Sequence, residues 1–169
     1  LLSHLLPHPE MGRTAVIINE FGEIGLDHEL VETSEEDFVE LTTGCLCCRL
    51  RDDLVLTIRD LLTRRQRGDV PVFEQILIET TGLADPLPVL QTLASDPALA
   101  ETTKLANVVT TVDALLGLST LSRFPESLRQ VAVADQLVFT KVDLAGDEAQ
   151  QLRSKVRQLN PLAPQHSAI

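Results

Sequence analysis

The chain has 169 residues, 44% of them apolar, and a formal net charge of -11, enough apolar material for one ordinary domain with its own core. A surface rich in carboxylates repels phosphate backbones and anionic lipid, so no nucleic acid and no membrane partner is expected, and no unbroken apolar run of about eighteen residues offers a span. The opening "LLSHLLPHPE" has neither a basic start nor a small-residue cleavage site, and three clustered cysteines make a poor disulfide framework, so a reducing, cytoplasmic setting is expected.

Short β-branched runs alternate with longer helical patterns, the signature of an α/β fold. The first strand is expected at Thr14–Ile18 ("TAVII"), running into Asn19-Glu20-Phe21-Gly22. Glu20 and Glu23 flank Gly22, where a carboxylate can complete a metal site or approach Mg²⁺; a solvated acidic loop explains them equally well. Asp27 and His28 follow, then Glu32, Glu35, Glu36, Asp37 and Glu40, a run that most often marks a solvated face. His4, His8, His28 and His166 read as ordinary surface residues. From Leu50, apolar side chains recur at Leu54, Ile58, Leu61 and Leu62, with Asp52 and Asp53 near the positive end of the dipole, which predicts an amphipathic helix. The cations of "RRQRG", Arg64 to Gly68, suit its end.

Three further strands are expected at Glu74–Ile78, Asn107–Val112 and Gln136–Thr140, and a second helix through Leu152, Val156 and Leu159. Strands joined by helices run parallel, and ligands then sit at their carboxyl ends. Those ends carry Glu79-Thr80-Thr81-Gly82, Asp113, and Thr140-Lys141-Val142-Asp143. A carboxylate at a strand end with a glycine three positions on suits nucleotide hydrolysis: Glu79 can hold Mg²⁺ through water, and the N–H of Gly82 can approach a terminal phosphate. In "TKVD", Asp143 can accept two parallel hydrogen bonds from N1–H and the exocyclic amine of guanine while the Lys141 stem covers the base. Adenine offers no such donor pair.

All three cysteines fall within four positions, Cys45, Cys47 and Cys48, behind Gly44. Thiolates select Zn²⁺, Cu⁺ or similar soft ions, and a turn at Gly44 can bring Cys45 and Cys48 together on one ion. The same spacing suits a dithiol redox pair near a helix amino terminus, though a third thiol would compete for the disulfide. A buried cluster of small hydrophobes is the plainest alternative.

The segments "VIINEFGEIGLDHELV", "TTGCLCCRLRDDL", "ILIETTGLADPLPVLQTL", "VVTTVDA" and "ADQLVFTKVDL", in this order, resemble the CobW-like metallochaperone GTPases across essentially the whole chain. The resemblance implies a P-loop GTPase fold with a mostly parallel sheet flanked by helices. It also implies binding of GTP and Mg²⁺, slow GTP hydrolysis, and carriage of Zn²⁺ or Co²⁺ on the cysteine motif. The recipient would be a metal-receiving protein or a cofactor-synthesis enzyme.

Family members open with a strand and a Gly-x-x-x-x-Gly-Lys-Thr loop, but Lys104, Lys141 and Lys155 here follow Thr, Thr and Ser. The expectation is therefore a partial GTPase domain over residues 1–169, without the first strand, the phosphate-binding loop and the usual carboxy-terminal domain. GTP binding by these residues alone should be poor. Loss of a central strand should favour aggregation or a homodimer. A metal-storage or zinc-stabilised module without turnover, and a thiol oxidoreductase, are the competing functions.

Overall fold

The computed structural model of the chain describes residues 2–19, 40–42 and 50–168. They fall into two compact units, Leu1–Thr81 and Gly82–Ile169, each built on its own three-stranded parallel sheet.

In the first unit a short helix α1 (Leu2–Leu5) and a 3-10 turn (Pro9–Met11) lead into β1 (Thr14–Asn19). His8 has a local role: its Nδ1 accepts from the Glu10 N–H and caps that turn. β1 lies between β2 (Glu40–Thr42) and β3 (Gln75–Thr80), and α2 (Leu50–Arg67) makes the crossover between those two. Ala15, Val16 and Ile17 on β1 are all buried, as a central strand with both faces covered requires. Leu54, Val55, Ile58 and Leu61 supply the buried stripe of α2, matching the expected periodicity. The helix stops where Gly68 adopts φ 77, with the Asp69 N–H donating to the Arg64 carbonyl at 2.9 Å and the Gly68 N–H to that of Arg65 at 3.2 Å. Those bonds satisfy carbonyls that the last turn leaves open.

The second unit opens with α3 (Pro86–Ser95) and α4 (Pro97–Thr102). Each begins with an aspartate cap before a proline: Asp85 accepts from the Leu87 N–H at 3.1 Å and Asp96 from that of Leu99 at 3.0 Å. Then come β4 (Val109–Asp113), α5 (Gly117–Arg123), α6 (Pro125–Val133), β5 (Gln136–Thr140), α7 (Glu148–Leu159) and β6 (Gln165–Ser167). The sheet order is β4-β5-β6. Leu137 and Phe139 on β5 pack with Val112, Leu121, Val131, Leu152 and Val156 in a single core. The buried Asn160 ties that core to the loops: its Nδ2 donates to the carbonyls of Val131 and Ala134 at 2.9 and 2.8 Å, and its Oδ1 accepts from the Ala163 N–H at 3.1 Å.

The four expected strands coincide with β1, β3, β4 and β5 to within two residues at their ends, with β1 parallel to β3 and β4 parallel to β5. β2 and β6 are additional. Among the described residues no helix is long and apolar enough to cross a membrane.

Candidate nucleotide site

The carboxyl rim of the second sheet brings two of the sequence signals together. Asp113, the last residue of β4, lies opposite Thr140, the last of β5. The Ala114 N–H donates to the Thr140 carbonyl at 2.9 Å, so the pairing runs to the edge of the sheet. Beyond it Lys141 turns the chain with φ 55, the one non-glycine residue in the left-handed region among those described. The Leu144 N–H closes that turn on the Lys141 carbonyl at 3.2 Å.

Val142 packs against the core and Ala145 is buried, while Asp143 between them is exposed. Anchored by Val142 and Ala145, this loop presents Asp143 to solvent at the rim. The Lys141 ammonium donates to Asp113 Oδ2 at 2.6 Å. The other carboxylate oxygen of Asp113, Oδ1, accepts from the N–H groups of Leu115 and Leu116 at 2.8 and 3.1 Å. Partial burial pushes the Asp113 carboxyl toward a higher pKa, but the hydrogen bond from Lys141, those from Leu116 and Leu115, and the charge of Lys141 outweigh it and hold the pKa below the usual carboxylate value. Leu115, Leu116 and Leu144 on the two flanking loops are exposed apolar side chains.

Gly82 opens the same unit. Its carbonyl accepts from Gln130 Nε2 at 3.0 Å, as does that of Ala84 at 2.9 Å, and Arg129 pairs with Asp85 Oδ2 at 2.9 Å. The segment from Gly82 to Asp85 is thus held to α6. A Cβ added at Gly82 would meet nothing within 4 Å, so packing does not demand a glycine there.

In the first unit Glu79 stands next to last on β3, exposed and in register with Ile18. β1 ends at Asn19 and β2 at Thr42, with Ile18 opposite both Thr42 and Glu79. The connections toward Glu20 and toward Cys45 therefore leave the sheet at one rim, the rim to which Glu79 also belongs. Glu20, Glu23, Asp27, His28, Cys45, Cys47 and Cys48 themselves lie outside the described residues. Among the described residues no group of three or more His, Cys, Asp and Glu side chains could hold a metal ion.

The profile of the CobW/HypB/UreG nucleotide-binding domain matches residues 1–167. The chain belongs to this family. It is 36% identical to the zinc chaperone YjiA of Escherichia coli over 164 residues, 97% of this chain and 51% of that protein. It is 33% identical to zinc-regulated GTPase metalloprotein activator 1 of Schizosaccharomyces pombe over 172 residues, 96% of this chain and 40% of that one. The chain thus spans about half the length, or less, of these curated relatives. The crystal structure of Zn(II)-bound YjiA GTPase superposes with a TM-score of 0.70 at 28% identity, covering 98% of this chain and 51% of that chain. A Zn(II)-bound triple mutant of that GTPase, with one glutamate and two adjacent cysteines replaced by alanine, superposes with a TM-score of 0.71 at 28% identity over 99% of this chain and 52% of that chain.

Sequence reading placed Asp113 at a strand end without giving it a role. Its contact with Lys141 spans 28 residues of sequence and follows from the β4–β5 register. A parallel pairing of those two strands, both readable, was the signal available.

Proposed function

We propose that this chain is the guanine-reading and metal-carrying part of a GTP-dependent zinc chaperone. The observation that carries the guanine half is the rim formed by Asp113, Lys141 and exposed Asp143 at the ends of adjacent parallel strands. In this reading Asp143 accepts from the two edge donors of guanine, the Lys141 stem covers the ring, and Thr140 ends the strand that carries them. These residues fit a guanine base. The sequence holds no Gly-Lys-Thr or Gly-Lys-Ser, so the lysine and backbone cradle of the phosphates is not assigned to these residues.

Glu79 would support Mg²⁺, which supplies charge neutralisation at the phosphates when bound. The N–H of Gly82 would contact the terminal phosphate. On the metal side, Cys45, Cys47 and Cys48 hold the cargo ion, Zn²⁺ or Co²⁺, with Glu20 or Glu23 completing the set. Support comes from the relatives named zinc chaperone and from the common rim at which the Asn19, Thr42 and Thr80 ends of the first sheet lie. The triple mutant of the YjiA GTPase is zinc-bound although one glutamate and two adjacent cysteines are replaced by alanine, so the cysteines here need a direct test.

Coupling between the ligands is the decisive property of a chaperone. If nucleotide changes metal affinity, metal changes nucleotide affinity by the same factor, typically about 5- to 150-fold. Zn²⁺ affinity by chelator competition, with GDP, with a non-hydrolysable GTP analogue and without nucleotide, is expected to differ among the three states. Cys45→Ser and Cys48→Ser should weaken zinc binding and leave metal-free GDP binding nearly unchanged. Equal zinc affinity in all states would reduce the protein to a storage or structural metal module. A reversible thiol redox couple with no zinc binding would favour the oxidoreductase.

A further inference from the structure

The second sheet carries an ion pair that base recognition, as proposed above, does not itself require. Lys141 has φ 55, a region that a non-glycine residue enters at a cost and keeps only when its surroundings hold it there. Its ammonium ends 2.6 Å from Asp113 Oδ2. Asp113 is itself fixed by the strand register with Thr140 and by the two N–H groups of Leu115 and Leu116 on its other oxygen. A carboxylate with three donors converging on it has little rotamer freedom left, and the lysine it binds is anchored at both ends, by backbone and by head group.

We infer that Asp113 is a positioning residue for guanine recognition, holding the Lys141 side chain across the rim so that its methylene stem forms one wall of the base site before the base arrives. The inference rests on the guanine reading of Lys141 and Asp143. A lysine stem is flexible, and ordering it on binding costs part of the affinity that the contact returns. An ammonium tied to Asp113 has met that cost in the folded protein. The exposed Leu115 and Leu116 follow from the same Asp113 turn, so one carboxylate fixes both the lysine and the start of an apolar loop at the rim.

The test separates an effect through Lys141 from a merely structural one. Asp113→Asn keeps an oxygen for the Leu115 and Leu116 N–H groups but loses the charge partner of Lys141. Lys141→Met keeps an apolar stem without the ammonium. GDP affinity is measured by titration for the unsubstituted full chain, each single variant and the double variant, with ADP as the base control. Asp113→Asn should weaken GDP binding about two- to fivefold in the Lys141 protein, the range open to a half-exposed ion pair, and leave it unchanged in the Lys141→Met background. A nitrogen-15 NMR signal from the Lys141 ammonium, protected from exchange without nucleotide, should be present in the unsubstituted protein and lost in Asp113→Asn. Equal weakening in both backgrounds, no weakening in either, or no protected ammonium would overturn the positioning role alone. Failure of the unsubstituted protein to prefer GDP over ADP would overturn the guanine reading and this inference with it.

Discussion

The carboxyl rims of the two sheets carry their chemistry in different ways. In the Gly82–Ile169 unit the relevant groups are the last residue of a strand or the first few after it: Asp113 ends β4, Thr140 ends β5, and Lys141 and Asp143 follow directly. Register and hydrogen bonds fix their spacing. In the Leu1–Thr81 unit Glu79 stands on β3, while Glu20, Glu23 and the cysteines follow β1 and β2 in sequence and lie outside the described residues. The contrast fits the division of labour proposed above. A base that only has to be recognised suits groups locked by a sheet, whereas a cargo that has to be released suits groups on connections whose geometry a nucleotide can alter.

The most severe way to break the comparison is to remove the support of the fixed rim. Phe139 is fully buried, directly precedes Thr140, and has the Arg153 guanidinium 4.2 Å from its ring centre. Phe139→Ala should cost about 3–5 kcal/mol, a large share of the roughly 5–15 kcal/mol that holds a domain folded. Hydrogen exchange should then show protection lost through Gly82–Ile169 and retained by the core amides of Leu1–Thr81. Uniform loss in both would mean that the two sheets open as one cooperative unit.

Two glycines of the second unit sharpen it further. A Cβ on Gly117 would sit 2.5 Å from one Leu152 methyl and 3.3 Å from Val112 Cγ1, in the packed core. Gly117→Ala should therefore destabilise by about 1–3 kcal/mol through overpacking, against a helix gain of at most about 1 kcal/mol. Gly82→Ala meets open space and should change stability by no more than about 0.5 kcal/mol. If Gly82 serves a phosphate, its substitution shows up in nucleotide binding instead. Denaturant midpoints for the pair decide the matter: equal destabilisation would mean that Gly82 is structural as well.

Lys141 permits a comparison within one position. Lys141→Ala removes the ion pair and keeps a side chain at φ 55, whereas Lys141→Gly removes the ion pair and the steric penalty together. The glycine variant should be more stable than the alanine variant by about 1 kcal/mol. Both should weaken GDP binding equally, because neither has a stem to cover the base. Equal stability of the two would show that the left-handed turn at this position stores no strain.

How much of this could be read from sequence differs between the rims for physical reasons. β1, β3, β4 and β5 carry short apolar or β-branched runs that read as strands although only β1 and β5 are largely buried, so their carboxyl ends, and Glu79, Asp113 and "TKVD" with them, were legible. β2 and β6 are three residues each, "ELT" and "QHS", too short and polar to give a pattern; pairing with β1 and β5 makes them strands. The Asp-Pro pairs that start α3 and α4 are readable helix-start signals. The Lys141–Asp113 contact was out of reach of motif reading, because it exists only once β4 and β5 are set in register. The metal assignment of Cys45, Cys47 and Cys48 rests on spacing and family, since those residues lie outside the described part of the chain.

The smallest effect expected is the pH dependence of the fixed rim. The folded-state pKa of Asp113 is held below that of an unfolded aspartate, where the side chain has neither Lys141 nor the Leu115 and Leu116 N–H groups beside it. A depressed carboxyl pKa means that the unfolded chain binds the proton more readily, so the contribution of Asp113 is fully present above the unfolded pKa, about 3.9, and declines as pH falls through the folded value. Because the Lys141 side chain is 52% exposed, solvent screening limits the pair to about 0.2–1 kcal/mol. Denaturant unfolding of the unsubstituted protein and Asp113→Asn should differ by this amount near pH 6, and the difference should shrink as pH falls below the ordinary aspartate range. The difference should also shrink in high salt, which screens the ion pair and leaves the Asn-compatible bonds to Leu115 and Leu116 in place. A stability gap that stays constant with pH and salt would not come from the ion pair, and would leave Lys141 no better anchored on this rim than a free surface lysine.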